Sequence, residues 1–411
     1  MSKKSAKLWD ILVIGAGASG MMAAVTAARR HKSVLLIERM DRAGKKLLAT
    51  GNGKCNYTNA QMGAEYFHGD PAFISRILDR FSHEDCVAFF REIGIYPKQK
   101  NGYFYPNSEQ AQSVLLALEH ELVCAGAALA TGEQLLSVRT SRQGFLCETK
   151  GASYAGRHVI FATGLAAAPK LGSDGSALAV IKGLGHRFAP ILPALCGFYC
   201  EGMDFKGASG VRCDAMLTLA VEGHAAAQER GELQITDYGL SGIPVFQISA
   251  LAVRALHKKK HVRIHMDLLP SLGEDELAGE LVRRRERALA QDGIGALLCG
   301  LLNQKLIPVC IKKAGLHVHG RAAELTENEL QKLMLTIKNI EVTVVRGREP
   351  EYAQVCTGGI KTADVNPDTL ESLLCPGVYF AGELLDVDGI CGGYNLQWAW
   401  STGFVAGSSI P

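Results

Sequence analysis

The stretch Asp10-Ile-Leu-Val-Ile-Gly15-Ala-Gly17-Ala-Ser-Gly20 places a glycine-rich turn between an apolar run and a run of small residues. This order predicts a buried strand, a tight turn and a helix. Gly15 permits the turn, Gly17 lets the backbone approach a pyrophosphate, and Gly20 lets the helix press against the strand. The stretch therefore predicts a dinucleotide-binding unit.

A second apolar run ends in an acidic residue at the position that such a unit requires. Ser33-Val-Leu-Leu-Ile-Glu38 follows the predicted helix, and Glu38 lies eighteen residues after Gly20. A carboxylate at the end of this strand can accept both hydroxyls of a ribose. The backbone N–H groups of Ala18 and Ser19, at the helix start, are predicted to point at the phosphates.

Length and charge narrow the class of protein. The chain has 411 residues, which predicts two or three domains, and its formal net charge is +3. This balance indicates neither a nucleic acid nor an anionic membrane, so we expect a small-molecule substrate and leave the oligomeric state open. The stretch 11–28 carries no charge, but three glycines within six residues argue against a membrane span. A cytoplasmic protein is expected.

Twelve cysteines are scattered along the chain without a Cys-x-x-Cys pair. Reduced and mainly buried thiols are expected, and the missing pair argues against a disulfide reductase. Cys196 and Cys200, like His317 and His319, lack partners at zinc-site spacing, so no metal is predicted.

The residue pattern changes near residue 191. Prolines there separate short strand-like runs, and charged segments with a helical pattern follow. The capping box Thr326-Glu-Asn-Glu329 predicts the start of one such helix. The chain is expected to re-enter the first domain near the strand-like run 341–346. The predicted domains are a discontinuous one over 1–190 and 346–411, and an inserted substrate-side one over 191–345 that is β-rich with a helical part at about 271–338.

The C-terminal segment 377–403 carries a second glycine-rich unit. Gly377-Val-Tyr-Phe-Ala-Gly382-Glu383 predicts a buried strand ending in an acid, before a glycine-rich loop and a helix of small residues. In flavoproteins with a dinucleotide fold, such an acid binds the ribityl-phosphate side, and the helix directs its N-terminus at the pyrimidine end of the ring. The strand end Phe161-Ala-Thr163-Gly164 is typical of the adenine side. Three parts of the chain thus indicate one FAD.

The sequence resembles the family of bacterial FAD-binding flavoproteins that includes a reductase of 3-dehydro-bile acids and an aminoacetone oxidase. The resemblance is strong over roughly the first 60 and the last 60 residues and loose between them. The family implies an α/β fold, with a discontinuous Rossmann-like FAD-binding domain, an inserted β-barrel-like and helical substrate domain, and one non-covalent FAD. The matching motifs are 15–20 with 38–39, 44–47 with 50–56, 357–359, and 379–389 with 392–397.

The predicted cofactor-binding residues come from both lines of reasoning. The fingerprint and the strand ends supply Gly15, Gly17, Ala18, Ser19, Gly20, Glu38, Thr163, Gly164, Gly382 and Glu383. The resemblance adds Arg39, Lys45, Lys46, Asn52, Gly53, Cys55 and Asn56 along the cofactor, and Asp388, Gly393, Asn395 and Leu396 over the ring.

Two positions depart from the family pattern. Lys54 stands where arginine is usual, and Cys391 stands where threonine is common. Lysine keeps the charge without the planar fork that makes a bidentate contact. A thiol is a weaker hydrogen-bond donor than a hydroxyl.

The sequence leaves the catalytic residues open. It contains no Ser-His-Asp order that would indicate hydrolysis. Tyr103, Tyr105 and Tyr394 are candidates for an acid or base near the ring, although tyrosine is also a common core residue.

The favoured hypothesis is an NAD(P)H-dependent reductase of an activated carbon–carbon double bond or of free flavin. Because no second glycine fingerprint occurs, NAD(P)H is expected to bind transiently, attracted by basic residues of the insert such as Arg212, Arg254 and Arg263. The alternative is an oxidase that passes electrons from a small amine such as aminoacetone to oxygen. A third hypothesis, an FAD-dependent tRNA-modifying or nucleic-acid-binding factor, is disfavoured by the near-neutral charge.

Overall fold

The computed structural model describes residues 7–411. They fall into two compact units, one over residues 7–192 with Gln354–Pro411 and one over Pro193–Ala353. The strands are β1 (Leu8–Ile14), β2 (Val34–Ile37), β3 (Thr58–Asn59), β4 (Phe67–His68), β5 (Pro97–Lys100), β6 (Tyr103–Pro106), β7 (Ala128–Ala130), β8 (Leu135–Ser141), β9 (Gly144–Thr149), β10 (Ser153–Phe161), β11 (Phe188–Ala194), β12 (Phe198–Glu201), β13 (Arg212–Val221), β14 (His224–Ile235), β15 (Gly239–Gly242), β16 (Val262–Asp267), β17 (Ile340–Gly347), β18 (Val355–Ile360), β19 (Val378–Phe380) and β20 (Asp388–Gly389). The α-helices are α1 (Ala18–Arg29), α2 (Lys45–Leu48), α3 (Pro71–Arg80), α4 (His83–Glu92), α5 (Ala111–Cys124), α6 (Leu178–Gly183), α7 (Ile243–His257), α8 (Glu274–Glu286), α9 (Ile294–Leu298), α10 (Ile307–Lys313), α11 (Glu327–Lys338) and α12 (Tyr394–Ser409).

The first unit is built on a sheet with the strand order β7-β2-β1-β10-β9-β8, to which β19 adds along β10. Strands β7, β2, β1, β10 and β19 pair in parallel, whereas β9 and β8 run antiparallel. In β1, Ile11 lies opposite Val34 on one side and His158 on the other. The β2 run Val34–Ile37 is buried throughout, as expected for a parallel strand covered on both faces.

Glycine allows the turn after β1 to close against its neighbours. Gly15 adopts a φ of +101°, and a Cβ there would lie 2.6 Å from the carbonyl oxygen of Ala162, at the end of β10. A Cβ on Gly20 would overlap the carbonyl oxygen of Gly15. Gly20 therefore lets α1 pack directly on the turn, as the sequence predicts.

Helix α12 packs along α1 through a second pair of glycines. A Cβ on Gly403 would overlap the backbone oxygen of Ser19 and lie 2.9 Å from the Cβ of Met22. A Cβ on Gly407 would overlap the backbone oxygen of Ala23, one turn further along. The C-terminal helix is thereby fixed against the helix that follows the glycine fingerprint.

The second unit contains a closed barrel with the strand order β12-β15-β14-β13-β16-β17. A helical part, α8 to α11, lies between β16 and β17 in the chain, and the Thr326 and Glu329 side chains form the expected capping box of α11. The run 341–346 belongs to β17, which pairs with β12 and β16, so this unit extends to Ala353 rather than to residue 345.

The predicted fold class, a Rossmann-type α/β fold with an inserted barrel and helices, is confirmed. Within residues 7–411, no helix has both the length and the apolar composition needed to cross a lipid bilayer.

The contact between α1 and α12 generates a first prediction. Gly403→Ala should destabilise the first unit by about 1–3 kcal/mol, because the added methyl group has no room beside α1. Gly183→Ala, at the end of α6, is the matched control: a Cβ there meets nothing within 4 Å, and replacing glycine without strain commonly stabilises by about 0.4–1 kcal/mol. Thermal unfolding should show opposite shifts for the two variants, and equal shifts would contradict this account of Gly403.

Candidate functional site

The N-terminus of α1 presents open backbone donors at the end of β1. Gly17 is the N-cap residue, and no side chain among the described residues caps this end of the helix. A Cβ on Gly17 would meet nothing within 4 Å, so the space above this turn is clear. Ala18 and Ser19 form the first turn. The unpaired N–H groups of such a helix end favour an anion.

Glu38 lies beside this turn with a buried carboxylate, of which 8 % is exposed. One oxygen accepts the N–H of Ala16 at 2.8 Å, and the other accepts the N–H of Met40 at 2.8 Å. A carboxylate offers about four acceptor positions, so these bonds orient Glu38 and leave capacity for hydroxyl donors. Arg39 turns toward a different segment and pairs with Asp174 at 2.6 Å.

The strand end of β10 adjoins the fingerprint turn, as predicted. A Cβ on Gly15 would lie 3.1 Å from the Cα of Thr163. Gly164 follows with a φ of +64°, and a Cβ there would lie 2.7 Å from the Ser173 hydroxyl. The structure thus brings together two of the three sequence regions that indicate the cofactor.

The loop 50–56 has an unusual run of left-handed backbone. Gly51, Asn52, Gly53 and Cys55 all have positive φ values between 53° and 83°. Residues other than glycine adopt this conformation rarely, and it concentrates at functional sites. Lys54 extends out of the loop, with its amine 3.7 Å from Glu109.

Asn56 ends this loop against the start of α12. Its Oδ1 atom is buried and has no hydrogen-bond partner among the described residues. A Cβ on Gly393 would lie 2.9 Å from that oxygen. An unpaired buried acceptor is costly in a folded protein, which is consistent with a donor on a bound group.

A partly buried ion pair joins the second strand end to the segment just before the loop 50–56. The Glu383 carboxylate accepts from Lys46 Nζ at 2.8 Å and from the backbone N–H of Cys356 at 2.7 Å. Lys45 instead pairs with Asp41. Gly382 is held by an N–H bond to the Thr402 hydroxyl at 2.8 Å, so α12 fixes this strand end from behind.

The loop before α12 is held by hydrogen bonds to Asn395 in the first turn of that helix. Asn395 accepts the N–H of Gly389 at 2.9 Å and donates to the Gly389 carbonyl at 2.6 Å. Gly393 is the N-cap residue of α12, with a φ of +92°, and no described side chain caps the helix there. Leu396 lies in the first turn. The structure therefore shows a second open helix N-terminus.

Asp388 is the buried acid of this loop, with 1 % of the residue exposed. It accepts the Thr357 hydroxyl at 2.6 Å on one oxygen and contacts His68 Nδ1 at 3.1 Å on the other. His68 was not among the residues predicted from the sequence, and Thr357 had no predicted role. The motif 357–359 was the only available signal for Thr357, and His68 lies in a two-residue strand without any motif.

Two of the three candidate tyrosines, Tyr394 and Tyr103, lie close to the loop before α12, whereas a Cβ on Gly51 would lie 3.9 Å from the Tyr105 ring. Tyr394 is buried and stacks on Tyr66 with ring centroids 4.8 Å apart. A Cβ on Gly392 would lie 2.8 Å from the Tyr103 ring. Burial raises the pKa of both Tyr394 and Tyr105, which weakens them as acids near neutral pH.

Two of the three arginines expected to attract phosphate have acidic neighbours in the second unit. Arg212 pairs with Glu232 at 2.7 Å and Arg263 pairs with Glu341 at 3.2 Å, all on the surface. Exposed pairs of this kind are weak and screened by salt. Arg254 lies in α7.

Comparison with known proteins places this fold and site in a class. A family model described as the HI0933-like protein Rossmann domain matches residues 9–409. A 3-dehydro-bile acid delta(4,6)-reductase from Clostridium scindens is 39 % identical over 401 residues, which cover 96 % of this chain and 97 % of the relative. A ribosomal RNA dihydrouridine synthase from Haemophilus influenzae is 28 % identical, with coverage of 97 % and 98 %.

Among solved structures, a 3-ketosteroid-delta4-(5alpha)-dehydrogenase from Rhodococcus jostii is similar at a TM-score of 0.48 and 15 % identity, covering 99 % of this chain and 98 % of that one. The protein is an FAD-dependent oxidoreductase with a Rossmann-type fold. Within that class, the chain belongs to the HI0933-like family. Since a relative acts on ribosomal RNA by its name, the expected absence of a nucleic acid partner stays a prediction.

The thiols of this unit generate a second prediction. No disulfide joins any of the twelve cysteines, which all lie within residues 7–411, and burial raises the pKa of Cys55 and of Cys356 to about 12. Because the thiolate is the reactive form, both should resist a thiol reagent at pH 8, while the exposed Cys124 and Cys299 react. Mass spectrometry of the labelled native protein measures this, with the denatured chain as the control. Rapid native labelling of Cys55 or Cys356 would contradict their burial.

Proposed function

We propose that this protein uses non-covalent FAD to reduce a carbon–carbon double bond conjugated to a carbonyl group, with NAD(P)H as the transient electron donor. The observation that carries the proposal is the 39 % identity, over almost the full length of both chains, to a reductase of 3-dehydro-bile acids. The name of that relative describes double bonds at positions 4 and 6 of a 3-oxo compound, which form a conjugated ketone.

The site residues fit FAD. The open N-terminus of α1 suits a pyrophosphate, and the oriented Glu38 carboxylate suits ribose hydroxyls. Near the start of α12, the buried Asn56 Oδ1 offers an acceptor, and the uncapped helix end offers donors. Lys46 and Glu383 stand together at the second strand end.

When bound, FAD supplies the two-electron redox chemistry. The N–H groups at the two helix N-termini would donate hydrogen bonds to acceptor atoms of FAD. The Glu38 and Glu383 carboxylates would accept hydrogen bonds from its hydroxyl groups. Asn395 fixes the backbone of Gly389, so the loop before α12 keeps its shape. A rigid loop of this kind orients a substrate without a reorganisation cost during the reaction.

A second candidate substrate is uridine in ribosomal RNA. Two relatives with that synthase activity in their names, from Haemophilus influenzae and Escherichia coli, are 28 % and 27 % identical over nearly the whole chain. The C5–C6 double bond of uracil is conjugated to the C4 carbonyl. Both candidates are therefore conjugate acceptors that take a hydride at the β-carbon and a proton at the α-carbon.

Glu38 provides the third prediction. The purified protein should be yellow and release FAD on heating. Glu38→Ala should weaken FAD binding by about 1.5–3 kcal/mol, roughly tenfold or more, because hydrogen bonds to a charged acceptor are lost. Glu92→Ala removes a carboxylate that is 64 % exposed and paired with Arg29, and it should bind FAD like the wild type. Titration of the FAD-free protein measures both, and an unchanged affinity in Glu38→Ala would remove this residue from the site.

The fourth prediction concerns the electron donor and acceptor. Under anaerobic conditions NADH or NADPH should bleach the flavin, and a 3-oxo-4,6-diene bile acid should restore the yellow colour. A uridine-containing ribosomal RNA transcript, in a parallel sample, tests the second substrate. Rapid bleaching by aminoacetone, with both nucleotides inactive, would contradict the proposal and indicate an amine oxidase.

A further inference from the structure

The first unit contains a histidine, His68, beside the loop that precedes α12, and one of its ring nitrogens contacts a buried carboxylate. His68 ends β4, where it lies directly opposite Asp388 of β20 in an antiparallel pair. Its Nδ1 atom is 3.1 Å from Asp388 Oδ2. The imidazole is partly open, with 18 % of the side chain exposed, whereas the Asp388 side chain is 1 % exposed.

The network around Asp388 determines where the proton of His68 resides. Asp388 accepts the Thr357 hydroxyl at 2.6 Å on its other oxygen. An ionised carboxylate only accepts hydrogen bonds, so a hydrogen bond between an ionised Asp388 and His68 requires a proton on Nδ1. Because the contact with Asp388 uses Nδ1, a proton delivered to a substrate would leave from Nε2.

The position of His68 is fixed by the backbone on both sides. The N–H of Ile390 bonds to the Tyr66 carbonyl at 3.0 Å, next to the β4–β20 pair. A Cβ on Gly69 would lie 3.0 Å from the Asp386 carbonyl, so the chain after His68 also lies against this loop. Asn395 ties the next residue, Gly389, to α12. His68 is thereby held at the segment predicted to close over the flavin ring.

We propose that His68 is the catalytic proton donor of the reduction, and that Asp388, supported by Thr357, is its positioning residue. This inference rests on the proposed function. Bound FAD, once reduced by NAD(P)H, would supply a hydride, which is one proton with two electrons, to the β-carbon of the conjugated acceptor. The α-carbon takes a proton from Nε2 of the His68 imidazolium. The C=C bond becomes a single bond, His68 is left neutral with its proton on Nδ1, and solvent protonates it again.

This residue suits the task better than the tyrosines nearby. Histidine is the side chain that most often serves as a general acid or base in enzymes. Tyr394 is buried against Tyr66 and Phe67, and burial raises its pKa, so it gives up a proton less readily. The contact with Asp388 Oδ2 orients the ring and favours the tautomer that remains after the transfer.

The first test measures the tautomer without using activity. In protein labelled with ¹⁵N-histidine, NMR should show His68 with its neutral-form proton on Nδ1, the less populated tautomer of free histidine. Asp388→Asn should shift this population toward Nε2–H. His83 is the matched control, because it pairs with Glu84 at 2.9 Å and is 21 % exposed on the surface of α4. Finding His68 as the Nε2–H tautomer in the wild type would overturn the proposal.

The second test separates the two half-reactions in a stopped-flow experiment. His68→Asn keeps a donor toward Asp388 but removes Nε2, so it should bind FAD and be reduced by NAD(P)H as the wild type is. Its reoxidation by the conjugated ketone should be slower by about 10²-fold or more. His83→Asn should leave both half-reactions unchanged.

The outcomes of the second test are distinct. Wild-type reoxidation in His68→Asn, or an equal loss in His83→Asn, would overturn the role of His68. If His68→Asn fails to bind FAD, Asp388→Asn and the wild-type tautomer decide: slow reoxidation with a shifted tautomer supports the proposal, and wild-type reoxidation overturns it. If none of the conjugated acceptors reoxidises the reduced wild type, the proposed function fails and the proposed proton transfer fails with it. The tautomer measurement then reports only on the His68–Asp388 pair.

Discussion

The packing of the first unit depends on two close contacts between backbones, one between α1 and the turn after β1 and one between α12 and α1. Helix α1 lies against the β1 turn through Gly20 and against α12 through Gly403 and Gly407, and at each contact a Cβ would overlap a carbonyl oxygen. These contacts fix the start of α1 relative to the sheet. They also connect the last helix of the chain to the first strand–turn–helix unit, although nearly four hundred residues separate them. The site is assembled from both ends of the sequence because this packing holds them together.

Charge complementarity supports the proposal that the same residues bind the cofactor. Two helices begin at glycines without a side-chain cap, at Gly17 and Gly393, so their N–H groups remain available as donors. Three carboxylates stand near strand ends, on Glu38, Glu383 and Asp388, and each already accepts from donors of the protein. The candidate site therefore offers both donors and acceptors. FAD requires both, since its phosphates accept hydrogen bonds and its ribose and ribityl hydroxyls also donate them.

The parts of this architecture that a sequence can predict are those encoded by local patterns. The β1–α1–β2 unit and Glu38 follow from glycine spacing and hydrophobic runs, and the capping box of α11 follows from two residues three positions apart. The run 341–346 was correctly predicted as a strand, but strand propensity does not say which sheet a strand joins. Its pairing with β12 and β16 depends on partners distant in sequence.

Long-range polar pairs account for what sequence reasoning missed in the candidate site. Lys46 and Glu383 were both predicted to bind the cofactor, yet nothing in their local sequence shows that they pair with one another. His68 carries even less signal, because a two-residue strand has neither hydrophobic periodicity nor a turn motif. His68 becomes a candidate only through its contact with Asp388, which lies 320 positions away in the sequence. A local pattern can predict a donor or an acceptor, whereas a network is defined by the fold.

The chemistry of the candidate substrates connects these observations. A conjugated steroid ketone and a uracil ring differ in size, charge and surroundings, but reducing either requires the same two events, hydride arrival at one carbon and proton arrival at its neighbour. A redox cofactor can supply the first event to any acceptor that reaches it. The second requires a protonated side chain at a fixed place, which a rigid loop and a buried carboxylate can provide independently of the rest of the substrate. Reaction type is therefore expected to follow from the first unit, where the Rossmann sheet, α12 and the Asp388 network lie, while substrate choice must be determined by other surfaces of the protein.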